Sequence, residues 1–78
     1  METCLLNVTI IAGNIHRLRL AANLSQTELA KKLYVNKKTV YMWEKGLAYP
    51  NLVNVLSLCN LFTVKVDDLI GVPNMIKK

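Results

Sequence analysis

Five lysines lie close together near the middle of this 78-residue chain, and they are the side chains whose type and spacing could do chemistry. An ammonium group donates hydrogen bonds, accepts none and carries a full positive charge, so it suits phosphate oxygens and other anionic ligands. Only two acids, Glu28 and Glu44, occur in residues 24–46. The pattern therefore indicates a surface for an anionic partner. Its lysines are Lys31, Lys32, Lys37, Lys38 and Lys45.

The parts of a catalytic or metal site are missing from the sequence. His16 is the only histidine, and no Ser-His-Asp set or glycine-rich loop after a strand accompanies it. Cys4 and Cys59 are too few and too far apart for a zinc site or a disulfide framework. We therefore expect a protein that is not an enzyme and that holds no cofactor and no metal.

Two short helices joined by a turn position the lysines, and we predict them over about residues 26–33 and 37–45. Ser25 can cap the first helix by accepting from the amide of Glu28, whose side chain can accept from the amide of Ser25 in return. Asn36 can cap the second helix in the same way. Gly46 suits the left-handed residue that follows a helix.

Each of these two helices has an apolar face at helical spacing. Leu29, Ala30 and Leu33 share one face of the first helix, where the small Ala30 allows a close crossing. Val40 and Trp43 share one face of the second, so we expect Trp43 in the core and not on the surface as a base-stacking platform. The outer face of the second helix then carries Lys37, Lys38, Tyr41, Met42 and Lys45.

An earlier helix is predicted from residue 10 or 11 to residue 22. Thr9 is its candidate cap, and Asn23 suits the left-handed position after it. Its apolar residues recur at helical spacing and are expected to be buried. They are Ile11, Ile15, Leu18 and Ala22.

Two later helices are predicted over residues 52–61 and 66–70. Asn51 can cap the first of them, whereas Lys65 is a poor cap for the second. Asp67 and Asp68 suit the positive end of the last helix dipole, and Gly71 ends that helix. The first of these helices is expected to bury one face. The residues expected on that face, and just beyond the end of the helix, are Leu52, Val55, Leu58 or Cys59, and Phe62.

The two ends of the chain fall outside the predicted domain of residues 10–71. In residues 1–9 and just beyond, Leu6, Val8 and Ile10 alternate with polar residues, which is typical of a strand. This arm could pair with its copy in a dimer, pack on the core or form coil. Residues 72–78 are predicted to be a short basic tail.

Residues 15–70 resemble the Cro and phage-repressor class of transcriptional regulators, the XRE family. The resemblance rests on LSQTELAKKL, on WEKG followed by Pro50, and on VKVDDLI. The fixed distance between the first two motifs makes it specific. It implies an all-α, five-helix lambda-repressor-like domain, in which the second helix of a helix-turn-helix enters the major groove of DNA.

The resemblance also implies roles for residues outside the DNA surface. The family's motif pairs Arg19 with Glu44, which would tie the earlier helix to the end of the recognition helix through a bidentate contact. The alternative is two independent surface charges. At Tyr34 the family usually has a left-handed glycine, so either Tyr34 bears a strain of ~1–2 kcal/mol or the turn is remodelled.

By the same motif, the residues expected to reach base edges are Lys37, Lys38, Thr39, Tyr41 and Met42. Each lysine can donate to guanine O6 and N7 or settle on a phosphate, whereas Tyr41 and Met42 can only make apolar contacts, for example with a thymine methyl. Contacts to the DNA backbone are expected from Gln26, Asn36, Lys45, Leu47 and Tyr49. Lys31 and Lys32 are interpreted as a solvated face, and no chemistry is assigned to His16.

Length and composition predict one domain with a partner. The chain is 53% hydrophobic and has a formal net charge of +5. So short a domain buries a modest core, and we expect an exposed apolar patch and a homodimer. No run reaches the ~18 apolar residues of a membrane span, and residues 4–12 lack the pattern of a secretory signal. The expected location is therefore the cytoplasm, with no membrane association.

The expected function is sequence-specific DNA binding by a dimer on a palindromic operator. Repression is favoured over activation, because a single domain acts most simply by blocking polymerase. The fifth helix, the basic tail and the N-terminal arm are the candidate dimer surfaces. Two alternatives stay open: an antitoxin that binds both DNA and a toxin, and a protein-interaction module that has lost DNA binding. A toxin or an anti-repressor would be the corresponding protein partner.

Overall fold

The computed structural model describes residues 8–71, and this part of the chain forms five helices and no strand. The helices are α1 (Val8–Ala21), α2 (Gln26–Leu33), α3 (Lys37–Glu44), α4 (Leu52–Phe62) and α5 (Val66–Ile70). α2 packs on α3 and α4, while α1 packs on α3 and α5. The predicted all-α, five-helix class is therefore confirmed.

The caps of α2 and α4 form as predicted, whereas the cap of α3 does not. Ser25 Oγ accepts from the amide of Glu28 at 3.0 Å, and Glu28 Oε1 accepts from the amide of Ser25 at 2.8 Å. Asn51 Oδ1 accepts from the amide of Asn54 at 2.8 Å. The cap expected from Asn36 is wrong, because its side chain makes no capping hydrogen bond. Asn36 is exposed, so water can satisfy the amides at this helix end.

Four of the five helices end in the same hydrogen-bonded motif. One residue adopts a left-handed backbone, and two amides turn back to carbonyls of the last turn. At the end of α3, the amide of Gly46 donates to Trp43 O at 3.2 Å and that of Leu47 donates to Met42 O at 2.9 Å. The left-handed residues, with their φ angles, are Asn23 (60°), Tyr34 (60°), Gly46 (75°) and Thr63 (56°).

The core forms where the inner faces of the five helices meet. Each helix contributes one residue whose exposed fraction is 0%. These residues are Ile15, Leu29, Val40, Leu58 and Leu69.

Trp43 and Ala30 complete the predicted helix-turn-helix faces. Trp43 is only 2% exposed and Ala30 3%, so Trp43 is a core residue as expected. Leu58 and Cys59 are both buried, and Phe62 packs against the core while remaining half-buried.

Two residues predicted for the core lie on the surface. Leu52 is 71% exposed, since it is the first residue of α4 and Val55, Leu58 and Cys59 define the face of that helix that meets the core. Ala22 is exposed because α1 has already ended at Ala21 and the chain turns there.

The start of α1 also differs from the prediction. The helix begins at Val8, so Thr9 lies within it and is not its cap, and the strand suggested for residues 1–9 is wrong at Val8 and Thr9. A Cβ at Gly46 would lie 3.9 Å from Val8 Cγ1, so Val8 is next to the end of α3. Packing of this kind overrides the weak strand preference of β-branched residues. The remainder of the predicted arm and the basic tail lie outside the described residues.

α5 is short, and a side-chain contact from α1 helps to hold it in place. Asn14 Nδ2 donates to Leu69 O at 2.7 Å. At the start of α5, Asp68 Oδ2 accepts from the amide of Lys65 at 3.4 Å. The lysine side chain has no acceptor, so it cannot return a capping bond. Within residues 8–71, no helix has the length and apolar character needed to cross a membrane.

We predict that glycine at the three strained helix ends stabilises the protein, in the order Thr63→Gly, Tyr34→Gly, Asn23→Gly. A β-branched residue is least tolerant of positive φ and asparagine most tolerant. Relief of ~1–2 kcal/mol is offset in part by the greater chain entropy of glycine. We therefore expect a gain of about 1 kcal/mol for Thr63→Gly and almost none for Asn23→Gly, measured by urea unfolding. Equal effects at all three sites would contradict this explanation.

Candidate nucleic-acid interface

A buried ion pair joins α1 to the last residue of α3. Arg19 Nε donates to Glu44 Oε2 at 2.6 Å, and Arg19 Nη2 donates to Glu44 Oε1 at 3.0 Å. The exposed fractions of the two side chains are only 9% and 4%. Arg19 Nη1 also donates to Leu24 O at 2.8 Å, at the start of the segment that leads into α2. One guanidinium therefore links α1, the entry to α2 and the end of α3.

Two further side chains complete the surroundings of the Glu44 carboxylate. Gln26 Nε2 donates to Glu44 Oε1 at 3.1 Å, and His16 Nδ1 lies 3.0 Å from the same oxygen. The sequence predicts Gln26 only as a contact to the DNA backbone and indicates no role for His16. The available signal for His16 was its position one turn before Arg19, because residues three apart share a helix face.

The surroundings of Arg19 and Glu44 favour the charged forms of both residues. Burial opposes ionisation of Glu44, but the hydrogen bonds from Arg19, His16 and Gln26 outweigh it and lower the pKa of the carboxyl. The hydrogen bond with Glu44 raises the pKa of Arg19. Glu28 is also held as a carboxylate, since its bonds with Ser25 lower its pKa. Both acids of residues 24–46 therefore have structural partners.

The outer face of α3 is exposed and basic. Val40 and Trp43 are buried, which leaves the opposite side of this eight-residue helix to solvent. Lys37, Lys38 and Tyr41 are exposed, while Thr39 and Met42 are half-buried. The helix contains no acid before Glu44. This side can donate to anionic or acceptor groups through its first residues and can make apolar contacts further along.

The residues predicted to contact the DNA backbone flank this face. Asn36 is exposed at the start of α3, and Lys45 lies beyond its end with Nζ 5.7 Å from the centre of the Tyr41 ring. Tyr49 is 58% exposed and offers a hydroxyl. Leu47 is 65% exposed, but its amide already donates to Met42 O. Leu47 therefore has no free donor for a phosphate.

The Glu44 cluster opens on the same side as the outer face of α3. A depression of about 440 Å³ runs between them. It is lined by His16, Gln26, Tyr41, Glu44 and Lys45. Among residues 8–71, no three His, Cys, Asp or Glu side chains come together in a way that could hold a metal ion.

We predict that Glu44→Gln lowers the free energy of unfolding at pH 7 by roughly 3 kcal/mol, because it leaves Arg19 buried without its counter-charge. The pKa of Glu44 is lower in the folded state, so this contribution is present above the ordinary value of 4.5 and is lost as pH falls through the folded pKa. Urea unfolding between pH 7 and pH 3 measures the free energy of unfolding of Glu44→Gln and of the wild type. The difference between the two free energies should narrow below pH 4.5.

Glu28→Gln is the matched control for this experiment. Glutamine can also complete the capping box, and Glu28 is exposed, so we expect a change of less than about 1 kcal/mol. If the free energies of unfolding of Glu44→Gln and the wild type differ by the same amount down to pH 3, the account of the ion pair is contradicted.

Comparison with known proteins agrees with this geometry. Residues 15–69 match the sequence profile of the family described as helix-turn-helix. The HTH-type transcriptional activator BcrR of Enterococcus faecalis is 35% identical over 57 residues, which are 73% of this chain and 28% of BcrR. The chain thus spans less than a third of that relative.

Two solved structures show the same arrangement of helices. The restriction-modification controller protein C.AhdI of Aeromonas hydrophila has a TM-score of 0.73 at 27% identity, over 81% of this chain and 96% of its own. The P22 c2 repressor, solved with a synthetic operator, has a TM-score of 0.74 at 24% identity, over 78% of this chain and 92% of its own. At this identity, the similarity shows only that the fold is shared. Since the family profile covers most of the chain and the helix-turn-helix is present, the chain belongs to the XRE-type, Cro- and phage-repressor-like helix-turn-helix family of DNA-binding transcriptional regulators.

Proposed function

We propose that this chain regulates transcription by placing α3 in the major groove of a specific duplex site. The observation that carries the proposal is the outer face of α3, which is exposed and basic while the opposite face holds Val40 and Trp43 in the core. A helix fits the major groove, and its first residues come closest to the bases. Lys37 and Lys38 are the first two residues of α3.

In this proposal the base-reading residues divide into donors and apolar contacts. Lys37 and Lys38 donate to guanine O6 and N7, and Thr39 lies beside them with a hydroxyl. Tyr41 and Met42, one turn further along, contact a thymine methyl. The site would then have guanines near one end of each half-site and a thymine further in.

The backbone contacts come from both sides of the recognition helix. Gln26 is the first residue of α2, where the amides of the helix end also attract phosphate. Asn36 and Lys45 flank α3, and the Tyr41 ring helps to orient the Lys45 ammonium group. Tyr49 donates from the loop through its hydroxyl. Leu47 contributes only van der Waals contact, because its amide is already used within the loop.

The proposed working unit is a homodimer in the cytoplasm, bound to a two-fold operator with half-site centres about 34 Å apart. One short domain buries too little surface for specific affinity, and a second copy doubles the contacts. Bound within a promoter, such a dimer represses by excluding polymerase. Activation, as the name of BcrR states for that protein, would require a further contact with polymerase.

We predict that replacing Lys37 and Lys38 with alanine weakens operator binding by roughly 1–3 kcal/mol for each lysine that reads a guanine and relaxes specificity there. Replacing a lysine that contacts a phosphate instead reduces the magnitude of the slope of log K against log salt concentration by about 1 and leaves the specificity unchanged. Fluorescence anisotropy at several salt concentrations measures both quantities. The control is Lys31→Ala with Lys32→Ala, which removes the same charge from exposed positions of α2.

An unchanged affinity and an unchanged salt slope for the Lys37 and Lys38 variant would overturn the DNA-binding role of α3. The protein would then be a protein-interaction module.

Selection of bound sequences from a random duplex pool tests the predicted site directly. We expect two inverted half-sites with guanines at corresponding positions and centres about one helical turn apart. Enrichment of a single, unrepeated element would contradict the two-fold arrangement. Enrichment of no sequence, together with co-purification of a small partner protein, would favour a protein-interaction role. An antitoxin would show both the enriched site and the partner.

A further inference from the structure

The side chain of His16 joins the cluster around Glu44 through only one of its two ring nitrogens. Nδ1 lies 3.0 Å from Glu44 Oε1 and 3.2 Å from Arg19 Nη2. The His16 side chain is 52% exposed, whereas that of Glu44 is only 4% exposed. Within residues 8–71, Nε2 has no hydrogen-bond partner. One edge of the imidazole ring is therefore held by the protein, and the other edge can meet a ligand.

The partners of Nδ1 determine what Nε2 can offer to that ligand. A guanidinium group only donates and a carboxylate only accepts, so Nδ1 either accepts from Arg19 or donates to Glu44. If Nδ1 accepts from Arg19, the proton of the neutral ring is on Nε2. A positively charged ring donates to Glu44 and has a proton on Nε2 as well. A ligand that accepts a hydrogen bond from Nε2 selects these two forms over the neutral ring with its proton on Nδ1.

His16 lines the same depression as three residues that are proposed to contact DNA. The depression has a volume of about 440 Å³, and His16 and Glu44 share its lining with Gln26, Tyr41 and Lys45. Gln26 is the first residue of α2, Tyr41 lies on the outer face of α3, and Lys45 follows α3. The depression therefore brings a side chain of α1 next to the surface that the helix-turn-helix offers to the duplex.

The charges around the depression favour an anionic ligand. Glu44 has no free oxygen, because Oε2 accepts from Arg19 Nε, and Oε1 accepts from Arg19 Nη2 and Gln26 Nε2. The charges of Arg19 and Glu44 cancel, so the ammonium group of Lys45 gives the lining a net positive charge, to which a protonated His16 would add. Gln26 Nε2 has a second hydrogen that can donate to a ligand.

We propose that His16 contacts the DNA backbone by donating from Nε2 to a phosphate that also meets Lys45 and Gln26. Phosphate oxygens accept such hydrogen bonds, and their charge suits the positive lining of the depression. This inference rests on the proposed function, which places α3 in the major groove, and it extends the contact with the duplex to α1. Phosphate contacts determine the register and orientation of a protein on DNA. His16 would thus link that register to the cluster that holds the end of α3.

The first test compares His16→Asn with His16→Gln on the duplex selected from the random pool. The amide nitrogen of glutamine can take the place of Nε2, whereas the shorter asparagine reaches only the place of Nδ1. By fluorescence anisotropy we expect His16→Asn to weaken binding roughly 3- to 10-fold for each half-site, which is the usual effect of one hydrogen bond. His16→Gln is the matched control and should stay within about 2-fold of the wild type. Circular dichroism checks that each variant is folded.

The second test replaces single phosphates of the same duplex with uncharged methylphosphonate. In the wild type and in His16→Gln, one such replacement in each half-site should weaken binding through loss of the proposed contact. In His16→Asn the same replacement should cost roughly 3- to 10-fold less affinity, because the two changes remove the same hydrogen bond. The cost of replacing the other phosphates should be the same in all three proteins.

The combined results separate a contact with DNA from support of Glu44 alone. Equal affinities of His16→Asn and the wild type, with the same dependence on every phosphate, overturn the contact and leave the DNA-binding role of α3 intact. If both variants lose affinity equally and keep the dependence of the wild type on every phosphate, His16 only supports Glu44 and the inference is overturned. If the wild type binds no duplex at all, the proposed function fails, and this contact fails with it.

Discussion

The buried pair between Arg19 and Glu44 is the contact on which the arrangement of this domain depends. α3 has only eight residues, and its inner side offers just Val40 and Trp43 to the core. Packing of only two side chains leaves the direction of such a short helix loosely determined. The bidentate ion pair at the end of α3 sets this direction. Removing two charges from water is costly, so such a pair adds more to orientation than to net stability. His16 and Gln26 reduce the cost by donating to, or lying beside, the same carboxylate.

The same contacts leave the positive charge of the recognition surface unopposed. Glu44 is neutralised by Arg19, and Glu28 is used in the cap of α2. The lysines of α2 and α3 therefore face solvent with no free carboxylate between them. The surface around α3 is therefore basic. By contrast, residues 46–64, which include α4, contain no charged residue.

Most of the fold could be predicted because it follows from local rules. The capping pair of Ser25 and Glu28, the apolar faces of α2 and α3 and the final Gly46 act within one helix turn, and the structure has all of them. The errors have a common cause. Thr9, Asn36 and Leu52 each satisfied a local rule, but neighbours elsewhere in the chain or solvent determined their surroundings. The left-handed conformation of Tyr34 was one of two alternatives, and the returning amide of Val35 to Ala30 O at 3.0 Å shows which one the chain adopts.

By itself, the sequence determined the order of the helices, the division of α2 and α3 into inner and outer faces, and the family of the chain. These properties depend on residue types at fixed short spacings, which can be read without knowing how the chain folds back. Only the tertiary structure decided that His16 and Gln26 join the Glu44 carboxylate and that, in the described part of the chain, Leu52, Val53 and Leu56 of α4 are exposed. Such contacts join residues 18 to 28 positions apart, or depend on which side of a helix its neighbours cover. These contacts form only when all five helices pack together around one small core.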